Sequence, residues 1–399
     1  MPEIRTVAII GAGIMGHGIA EVAAMSGQDV MLVDVSQKFL SRASEEISAS
    51  LTKLSEKGAL RETSEKILGR IRFTTDIQEA VRDVDLVLEA VPEDIGLKSR
   101  VLSEADKLAP AHAIFASNTS GLSISVLSEA TNRPDRFVGM HWMNPPVRMR
   151  LVELIKGDKT SEQAVGSILD LCKRYNKEPV IAKRDVWFFL SARSQTGWHL
   201  ETALMVHGGR ASVQDIDAMA RYKLGLPMGP FEIADLTGAA DIRVQGFESA
   251  KKILERRPSF EPWPAFLAAL GYVVEQFWRP IRGKGLTGVK VGKGFYTYPA
   301  PGKYKRVDIP EDAADKVNPV EALAAVANTS AWCVTNGVGS IEDVERCFKL
   351  AYNWPKGVFE FVREYGASSI VKELRSKQKT APEPIKAFYE PDPLLLKWS

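Results

Sequence analysis

Residues 6 to 34 read TVAIIGAGIMGHGIAEVAAMSGQDVMLVD, and this stretch decides the fold of the first part of the chain. Val7 to Ile10 predict a buried strand, the run from Gly11 to Gly16 is a GxGxxG turn, and Ile19 to Met25 has the composition of a helix. Val30 to Val33 then predict a second strand. A strand, a glycine turn, a helix and a second strand together indicate a dinucleotide-binding βαβ unit.

The glycines of this turn have separate physical roles. Gly11 permits the tight turn, Gly13 lets a pyrophosphate approach the backbone, and Gly16 lets the helix and the strand pack closely. The phosphates would face the N–H groups at the start of the helix. The predicted cofactor contacts in the turn are Gly11, Ala12, Gly13, Ile14, Met15 and Gly16. The alternative is a glycine turn that binds no cofactor.

An acidic residue, Asp34, ends the second strand 23 residues after Gly11. A carboxylate there can accept hydrogen bonds from both ribose hydroxyls of a dinucleotide, and it repels a 2′-phosphate. We therefore expect NAD as the cofactor rather than NADP.

The bulk composition excludes several classes of protein. The chain has 399 residues, and one core rarely grows past roughly 250 to 300 residues, so we expect two or three domains. Basic and acidic side chains number 52 and 50, which gives no reason to expect nucleic acid or membrane partners. The three cysteines are scattered, which favours a reducing compartment and argues against a metal site. The N-terminus has no signal-peptide pattern, and we expect a cytoplasmic protein.

Five more apolar runs predict strands of the same sheet. They are Leu86 to Ala90, Ala113 to Ser117, Phe137 to Met140, Leu151 to Ile155 and Val180 to Ala182. A polar helical insertion at residues 37 to 69, broken near Gly58, carries Ile47, Leu51 and Leu54 at helical spacing. It is either a packing surface or a wall against a long ligand.

The stretch GMHWMNPPVRMRLVELI, residues 139 to 155, carries the best candidate for catalysis. His141 follows one predicted strand and Glu153 lies within the next, so a hairpin-like return can bring the two side chains together. An imidazole held by a carboxylate can take a proton from an alcohol. The alternative is an ordinary hydrogen-bonded histidine of the core.

Taken together, these residues resemble the 3-hydroxyacyl-CoA dehydrogenase family. The similarity extends to about residue 300, and the motifs occur in the order found in that family. The matching segments are GAGIMG at 11, EAVPEDIGLK at 89, ASNTSGL at 116, HWMNPP at 141, LVELI at 151, GLPMGPFEIADLTG at 225 and VGKGFYTY at 291.

The resemblance implies NAD-dependent oxidation of a 3-hydroxyacyl-CoA, a reaction of fatty-acid β-oxidation, with His141 as base and Glu153 as its partner. It implies that Ser120 and Asn144 contact both the substrate oxygen and the cofactor. Further implied NAD contacts are Glu93, Lys98, Asn118 and Lys290, and implied coenzyme A contacts are Ser50 and Lys57. The alternatives are ordinary turn chemistry and solvated surface charges.

Departures from the family pattern leave two rival functions open. Ala192 stands where the family has an active-site asparagine, and Trp187-Phe188 stand where it has Pro-Gly. These changes allow a catalytically impaired NAD-binding homologue. Arg148 and Arg150, in a loop that is mostly apolar in the family, could instead clamp the carboxylate of a small free hydroxy acid.

The second half of the chain contains a repeat. SVQDIDAMARYKLGLPMGPFEIADLTG from Ser212 aligns without gaps with SIEDVERCFKLAYNWPKGVFEFVREYG from Ser340, an offset of 128 residues. We therefore predict an α/β Rossmann-type domain at residues 1–185, followed by two all-α domains of the 6-phosphogluconate-dehydrogenase C-terminal type at 186–300 and 316–399. Since relatives dimerise through one such domain, we expect either a monomer built as an internal pseudo-dimer or a homodimer.

Overall fold

A computed structural model describes residues 3 to 399 and divides them into two compact units. The first unit ends at Asp185, and the second runs from Val186 to Ser399. The first contains every strand of the main sheet, and the second is built from helices. An α/β unit followed by a helical unit agrees with the predicted order.

The first unit is organised by one eight-stranded sheet in the order β3-β2-β1-β4-β5-β6-β7-β8. Strands β1 to β6 run parallel, β7 is antiparallel to β6, and β8 is parallel to β7. The strands are β1 (Thr6–Ile10), β2 (Asp29–Val33), β3 (Ile71–Thr74), β4 (Leu86–Glu89), β5 (Ile114–Ser117), β6 (Phe137–Trp142), β7 (Leu151–Lys156) and β8 (Glu178–Ala182). The sequence patterns missed β3, which is short and carries the exposed Arg72.

Helices cover the sheet, and most begin at a side chain that accepts a hydrogen bond from the first turn. The helices of the first unit are α1 (Ile14–Met25), α2 (Gln37–Glu56), α3 (Ser64–Leu68), α4 (Ile77–Val81), α5 (Ile95–Leu108), α6 (Ile124–Ser128) and α7 (Glu162–Arg174). Helix α1 differs, since its N-cap is Gly13 and has no side-chain hydrogen bond. Its first N–H groups are therefore not capped by a side chain.

The predicted helical insertion is α2, a turn and α3, and one face of it packs into the core of the first unit. Leu40, Ala43, Ile47 and Leu51 of α2 are buried at helical spacing. The turn passes through Gly58, whose φ of 65° lies in the left-handed region that glycine adopts without strain. Of the two interpretations of the insertion, the packing surface is thus correct for the buried face of α2.

The second unit contains eleven α-helices within the described residues. They are α8 (Ser191–His207), α9 (Val213–Ala218), α10 (Pro230–Thr237), α11 (Ala239–Arg256), α12 (Pro264–Val273), α13 (Arg279–Gly283), α14 (Pro319–Thr335), α15 (Ile341–Ala351), α16 (Val358–Tyr365), α17 (Ala367–Thr380) and α18 (Pro393–Trp398). A longer connection at residues 284–318 separates α13 from α14. Between residues 3 and 399, we find no helix with the length and apolar character that crossing a membrane demands.

The junction between the units carries the two aromatic residues that depart from the family pattern. Trp187 is buried, and its ring stacks on Phe188 at 4.8 Å and on Phe247 at 6.0 Å between centroids. Phe188 has a φ of 65°, a conformation that bulky side chains rarely adopt. Aromatic stacking therefore holds a backbone conformation for which glycine is the ordinary choice.

The offset of 128 residues, which relates Ser212 to Ser340 in the sequence repeat, also relates the bounds of helices and some side-chain contacts in the two parts of the second unit. Helices α8 and α10 shifted by that offset coincide with α14 and α16. Asp217 accepts hydrogen bonds from the N–H groups of residues 231 and 232, and Glu345 accepts them from residues 359 and 360. The same carboxylate role thus recurs at the matching position, although the residue type differs.

Helices α8 and α14 pack closely at one small residue. A Cβ on Gly197 would lie 2.2 Å from the carbonyl oxygen of Ala325, too close for any side chain. The Thr329 hydroxyl donates to the carbonyl oxygen of Ser194 at 2.7 Å, which ties the two backbones together. Close approach of backbones at a small residue is what lets these two helices share one core.

Gly197→Ala is expected to destabilise the second unit by about 2–3 kcal/mol, because the new methyl group collides with a backbone carbonyl that has no room to move. The matched control is Gly246→Ala in α11, where a Cβ meets no atom within 4 Å. That control should hold or raise the unfolding temperature, since alanine favours helix by about 1 kcal/mol over glycine. Calorimetric scans of both variants test this, and an unchanged melting temperature for Gly197→Ala contradicts the packing.

Candidate active site

The site is built around a cross-strand pair of the first unit. His141 of β6 lies directly opposite Glu153 of β7 in the antiparallel register. The Nδ1 atom of His141 is 3.0 Å from Oε2 of Glu153, which is hydrogen-bond distance. The return predicted from the sequence thus brings the two side chains into contact.

Burial strengthens this contact. Glu153 is fully buried and His141 is 8% exposed, so water competes poorly for either group. A buried carboxylate is costly unless a partner satisfies it, and the imidazole is such a partner. With Nδ1 turned toward Glu153, the Nε2 atom of the ring is the one that can exchange a proton with a substrate.

The glycine turn lies where the strand order of the sheet reverses, between β1 and β4. Gly11 has a φ of 106°, and a Cβ there would lie 2.7 Å from the carbonyl oxygen of Ala90. A Cβ on Gly16 would lie 1.7 Å from the carbonyl oxygen of Gly11, so helix α1 can follow the turn only with glycine at that position. Protein contacts therefore account for both glycines.

Gly13 is different, because a Cβ there would meet no protein atom within 4 Å. Glycine is a favoured N-cap residue, and the open space at this position also lets a ligand approach the backbone closely. Ile14, the next residue, is 63% exposed although it is apolar. Together with the first turn of α1, which no side chain caps, these residues fit the pyrophosphate of a dinucleotide.

Asp34 follows β2 and reaches across to the glycine turn. Its Oδ2 atom accepts a hydrogen bond from the backbone N–H of Ala12 at 2.8 Å, and Oδ1 accepts one from Ser36 at 3.2 Å. These bonds fix a half-buried carboxylate beside the turn, as required for a contact with the ribose.

A buried ionic network shapes the loop after β4. The Lys98 ammonium donates to the Glu89 carboxylate at 2.7 Å and to the carbonyl oxygen of Val91 at 2.9 Å, and it lies 3.3 Å from the Glu93 carboxylate. Burial alone would lower the pKa of Lys98, but the charges of Glu89 and Glu93 outweigh it and raise the pKa. The Ser117 hydroxyl donates to Glu89 at 2.6 Å.

Burial of Lys98 contradicts the alternative of a solvated surface charge, since the residue is 1% exposed. Its ammonium already donates to Glu89 and Val91 and pairs with Glu93, so the predicted cofactor contact stays a prediction that this network would have to accommodate. The sequence reasoning also missed Glu89 and Ser117. An acid at the end of an apolar strand, LVLE, was the available signal for Glu89.

The remaining predicted residues of this region lie in loops at the carboxyl ends of the strands. Asn118 accepts a hydrogen bond from the Trp142 N–H at 2.9 Å, which joins the end of β5 to the end of β6. Ser120 is exposed, and its N–H donates to Glu93 at 3.0 Å. Asn144 is also exposed and precedes a cis peptide bond to Pro145.

Three predicted residues lie outside this cluster. Ser50 of α2 lies near Glu21 of α1, and burial raises the pKa of that carboxyl group to about 7. Lys57 is the exposed C-cap of α2. Lys290 belongs to the second unit, where it is exposed in the short 3₁₀ turn Val289–Val291.

Comparison with known proteins identifies the family. Residues 6–186 match the model of the 3-hydroxyacyl-CoA dehydrogenase NAD binding domain, and residues 189–298 match the model of the 3-hydroxyacyl-CoA dehydrogenase C-terminal domain. The mitochondrial hydroxyacyl-coenzyme A dehydrogenase of Sus scrofa is 36% identical over 303 residues, which cover 74% of this chain and 91% of that protein. The chain belongs to the 3-hydroxyacyl-CoA dehydrogenase family.

Solved structures of the family extend the match. The (S)-3-hydroxybutyryl-CoA dehydrogenase from Ralstonia eutropha is 32% identical, covers 74% of this chain and 99% of its own, and has a TM-score of 0.63. The 3-hydroxybutyryl-CoA dehydrogenase from Escherichia coli has a TM-score of 0.81 over 99% of this chain and 98% of its own, at 24% identity. The latter likeness concerns the fold, and it includes the helices after residue 300.

Asp34→Ala is expected to reduce the preference for NADH over NADPH by about tenfold or more, because it removes two potential ribose hydrogen bonds and the charge that repels a 2′-phosphate. Fluorescence titration of both cofactors measures this without any substrate. Asp83→Ala is the control, since it removes an exposed carboxylate before the N-terminal end of β4, whereas Asp34 follows the C-terminal end of β2. If Asp34→Ala keeps the preference of the unmodified chain, the ribose contact is assigned to the wrong residue.

Proposed function

We propose that this chain catalyses the reversible NAD-dependent oxidation of an (S)-3-hydroxyacyl-CoA to the 3-ketoacyl-CoA. The buried contact between His141 and Glu153 in a member of this family carries the proposal. A general base held by a carboxylate, in the same unit as a dinucleotide-binding turn, is the minimum equipment for oxidising a secondary alcohol.

In this reaction His141 accepts the hydroxyl proton of the substrate at Nε2. Glu153 receives the Nδ1–H bond, fixes the tautomer of the ring and balances the charge of the imidazolium that forms. Ser120 and Asn144 donate hydrogen bonds to the substrate oxygen, which gains charge when the reaction runs toward the alcohol. Bound NAD supplies the acceptor of the hydride.

The cofactor is held by the residues from Gly11 to Gly16 and by Asp34, and Glu93, Asn118 and Lys290 complete the proposed contacts. Lys98 acts by holding Glu93 in place. For the coenzyme A part of the substrate, the exposed Lys57 is the better supported of the two candidates on α2. Ser50 is half-buried and lies near the Glu21 carboxylate of α1.

A dehydrogenase for a small free hydroxy acid is the alternative. Arg148 is its candidate, because this exposed guanidinium has no ion pair among residues 3 to 399. It lines a cavity at the C-terminal end of α1, away from the glycine turn, which counts against this alternative. Arg150 is less suited, since Glu178 already pairs with it. Ala192, at the start of α8, offers only a methyl group where the family has an amide, and this supports slow turnover or a catalytically impaired homologue.

Rates of NADH oxidation separate these functions. We expect turnover with acetoacetyl-CoA and little or none with free acetoacetate. His141→Gln should lower kcat about 10²- to 10⁴-fold and leave NADH affinity unchanged, because the ring acts on the proton and not on the cofactor. Full activity in this variant would falsify the assigned base.

A histidine of the same unit serves as the control. His112 is half exposed, and its ring contacts Asp85, the residue before β4. It lies apart from the His141–Glu153 pair, so His112→Gln should keep the full rate. Tight NADH binding with no turnover on thioesters of any acyl length would support the impaired homologue. Preference for the free acid would support the alternative enzyme.

We also propose that the second unit arose by duplication and contains two copies of one helical domain. Support comes from the coincident bounds of α8 with α14 and of α10 with α16, and from the recurrence of the Asp217 role in Glu345. The second copy would then occupy the place of a partner subunit.

We propose the cytoplasm as the compartment of this protein, because its three cysteines are few and scattered in the sequence.

Light scattering coupled to size exclusion is expected to give the mass of one chain, 44.0 kDa, because the internal contact of α8 with α14 replaces a contact between subunits. Dilution over a hundredfold range should not change that mass. A mass of twice this value contradicts the pseudo-dimer and favours a homodimer.

A further inference from the structure

A large cavity in the first unit has a strongly cationic lining. Its volume is about 910 Å³, within the range of small-molecule sites. Seven of its lining side chains are basic and one, Glu62, is acidic. The whole chain carries a net charge of only +2, so this concentration of one sign is local. The basic residues include Arg61, Arg70, Arg148, Arg150, Arg174 and Lys177.

This cavity is not the dinucleotide site. It is lined by Val22, Met25, Ser26 and Gly27, which lie at the C-terminal end of α1 and just beyond it. The glycine turn lies at the opposite end of that helix, and twelve residues of α-helix extend roughly 18 Å. The remaining walls are the turn between α2 and α3, the loop between β6 and β7, and the end of α7.

Three of the cations lack a counter-ion within the part of the chain that the structure describes. Four of the cations have a carboxylate partner. The pairs are Arg70 with Glu62, Arg150 with Glu178, Arg174 with Glu3, and Lys173 with Asp170. Arg61, Arg148 and Lys177 have no carboxylate partner among residues 3 to 399. Like charges that face one cavity repel one another unless an anion enters it.

Lys177 indicates a site that is built rather than a chance surface cluster. The residue is 8% exposed, and its ammonium donates to the carbonyl oxygens of Pro146 at 2.6 Å and Met149 at 2.7 Å. Two of its three hydrogens are thus used by neutral acceptors. Burial lowers the pKa of Lys177 to about 8, because the ammonium is removed from water.

The cavity also offers apolar surface beside the cations. Leu60 and Val147 are half-buried, pack against the core and line the cavity, as does Met25. A ligand that combines an apolar ring with several negative charges matches this lining, and a nucleotide with two or three phosphate charges is such a ligand.

We propose that this cationic cleft binds the phosphates of a second nucleotide, separate from the dinucleotide at the glycine turn. Two sources share this chemistry: the 3′-phosphoadenosine diphosphate end of coenzyme A, and a free nucleoside triphosphate. The first source rests on the proposed function, and the second does not.

Calorimetric titration of the full chain tests the proposal, with NADH present at saturation so that the glycine turn is filled. The probes are coenzyme A, adenosine 3′,5′-bisphosphate and ATP, and adenosine serves as the probe without phosphate. We expect at least one phosphate-bearing probe to bind and adenosine not to bind. Double substitution Arg61→Gln and Arg148→Gln should weaken that binding about tenfold or more, since two uncompensated cations are removed.

The matched control is Lys107→Gln with Lys159→Gln, which removes the same charge from exposed positions outside the cleft. Affinity in this control should equal that of the unmodified chain. Absence of binding by all three phosphate-bearing probes overturns the proposal, and so does equal affinity in the two double variants. Lys177→Met is a further variant that should also weaken binding. If Lys177→Met does not fold, the double arginine variant alone tests whether the cleft binds phosphate.

Steady-state kinetics distinguish coenzyme A from a free nucleotide as the ligand of the cleft. The two substrates are acetoacetyl-CoA and acetoacetyl-pantetheine, and the second lacks the nucleotide. A rise in KM for the coenzyme A ester alone, in the double arginine variant, assigns the cleft to coenzyme A. Unchanged KM values together with lost ATP binding assign it to a free nucleotide. If neither thioester is turned over, the proposed function fails, and the calorimetric result for the cleft still stands.

Discussion

The cross-strand pairing of His141 with Glu153 is the constraint on which the candidate site depends. It exists because β7 runs antiparallel to β6 at the end of an otherwise parallel run of strands, which places the two residues opposite each other. Complete burial of Glu153 makes the imidazole its necessary partner. The same geometry that satisfies a buried carboxylate therefore sets the tautomer of a potential base.

Backbone geometry and buried charge position the loops at the carboxyl ends of the strands in the first unit. Glycines at the reversal of strand order leave room for a backbone approach, and Asp34 is fixed by the N–H of Ala12. Lys98 and Glu89 form a buried ion pair that holds Glu93, and Glu93 in turn accepts a bond from the Ser120 N–H. Removing one member of such a pair leaves an uncompensated buried charge, which destabilises the folded chain.

The second unit follows a different principle, in which repeated local contacts build a shared core. Carboxylates at positions 217 and 345 cap the helices that follow them, and the change from Asp to Glu leaves the role intact. Gly197 lets α8 and α14 approach closely enough for their backbones to be bridged by Thr329. Asp217 and Glu345 make the same contact with a following helix although their side chains differ in length. The alignment of the repeat pairs the two residues but does not show this shared contact.

The sequence by itself determined the glycine turn, Asp34, the approach of His141 to Glu153 and the offset of the helical repeat, because each depends on local periodicity or on residue types at fixed spacing. Only the tertiary structure decided that Lys98 is buried, that Ser50 of α2 lies near the buried Glu21 of α1, and that Arg61, Arg148 and Lys177 line one cavity. These outcomes depend on which distant segments the fold brings together, and that information is absent from any single stretch of sequence.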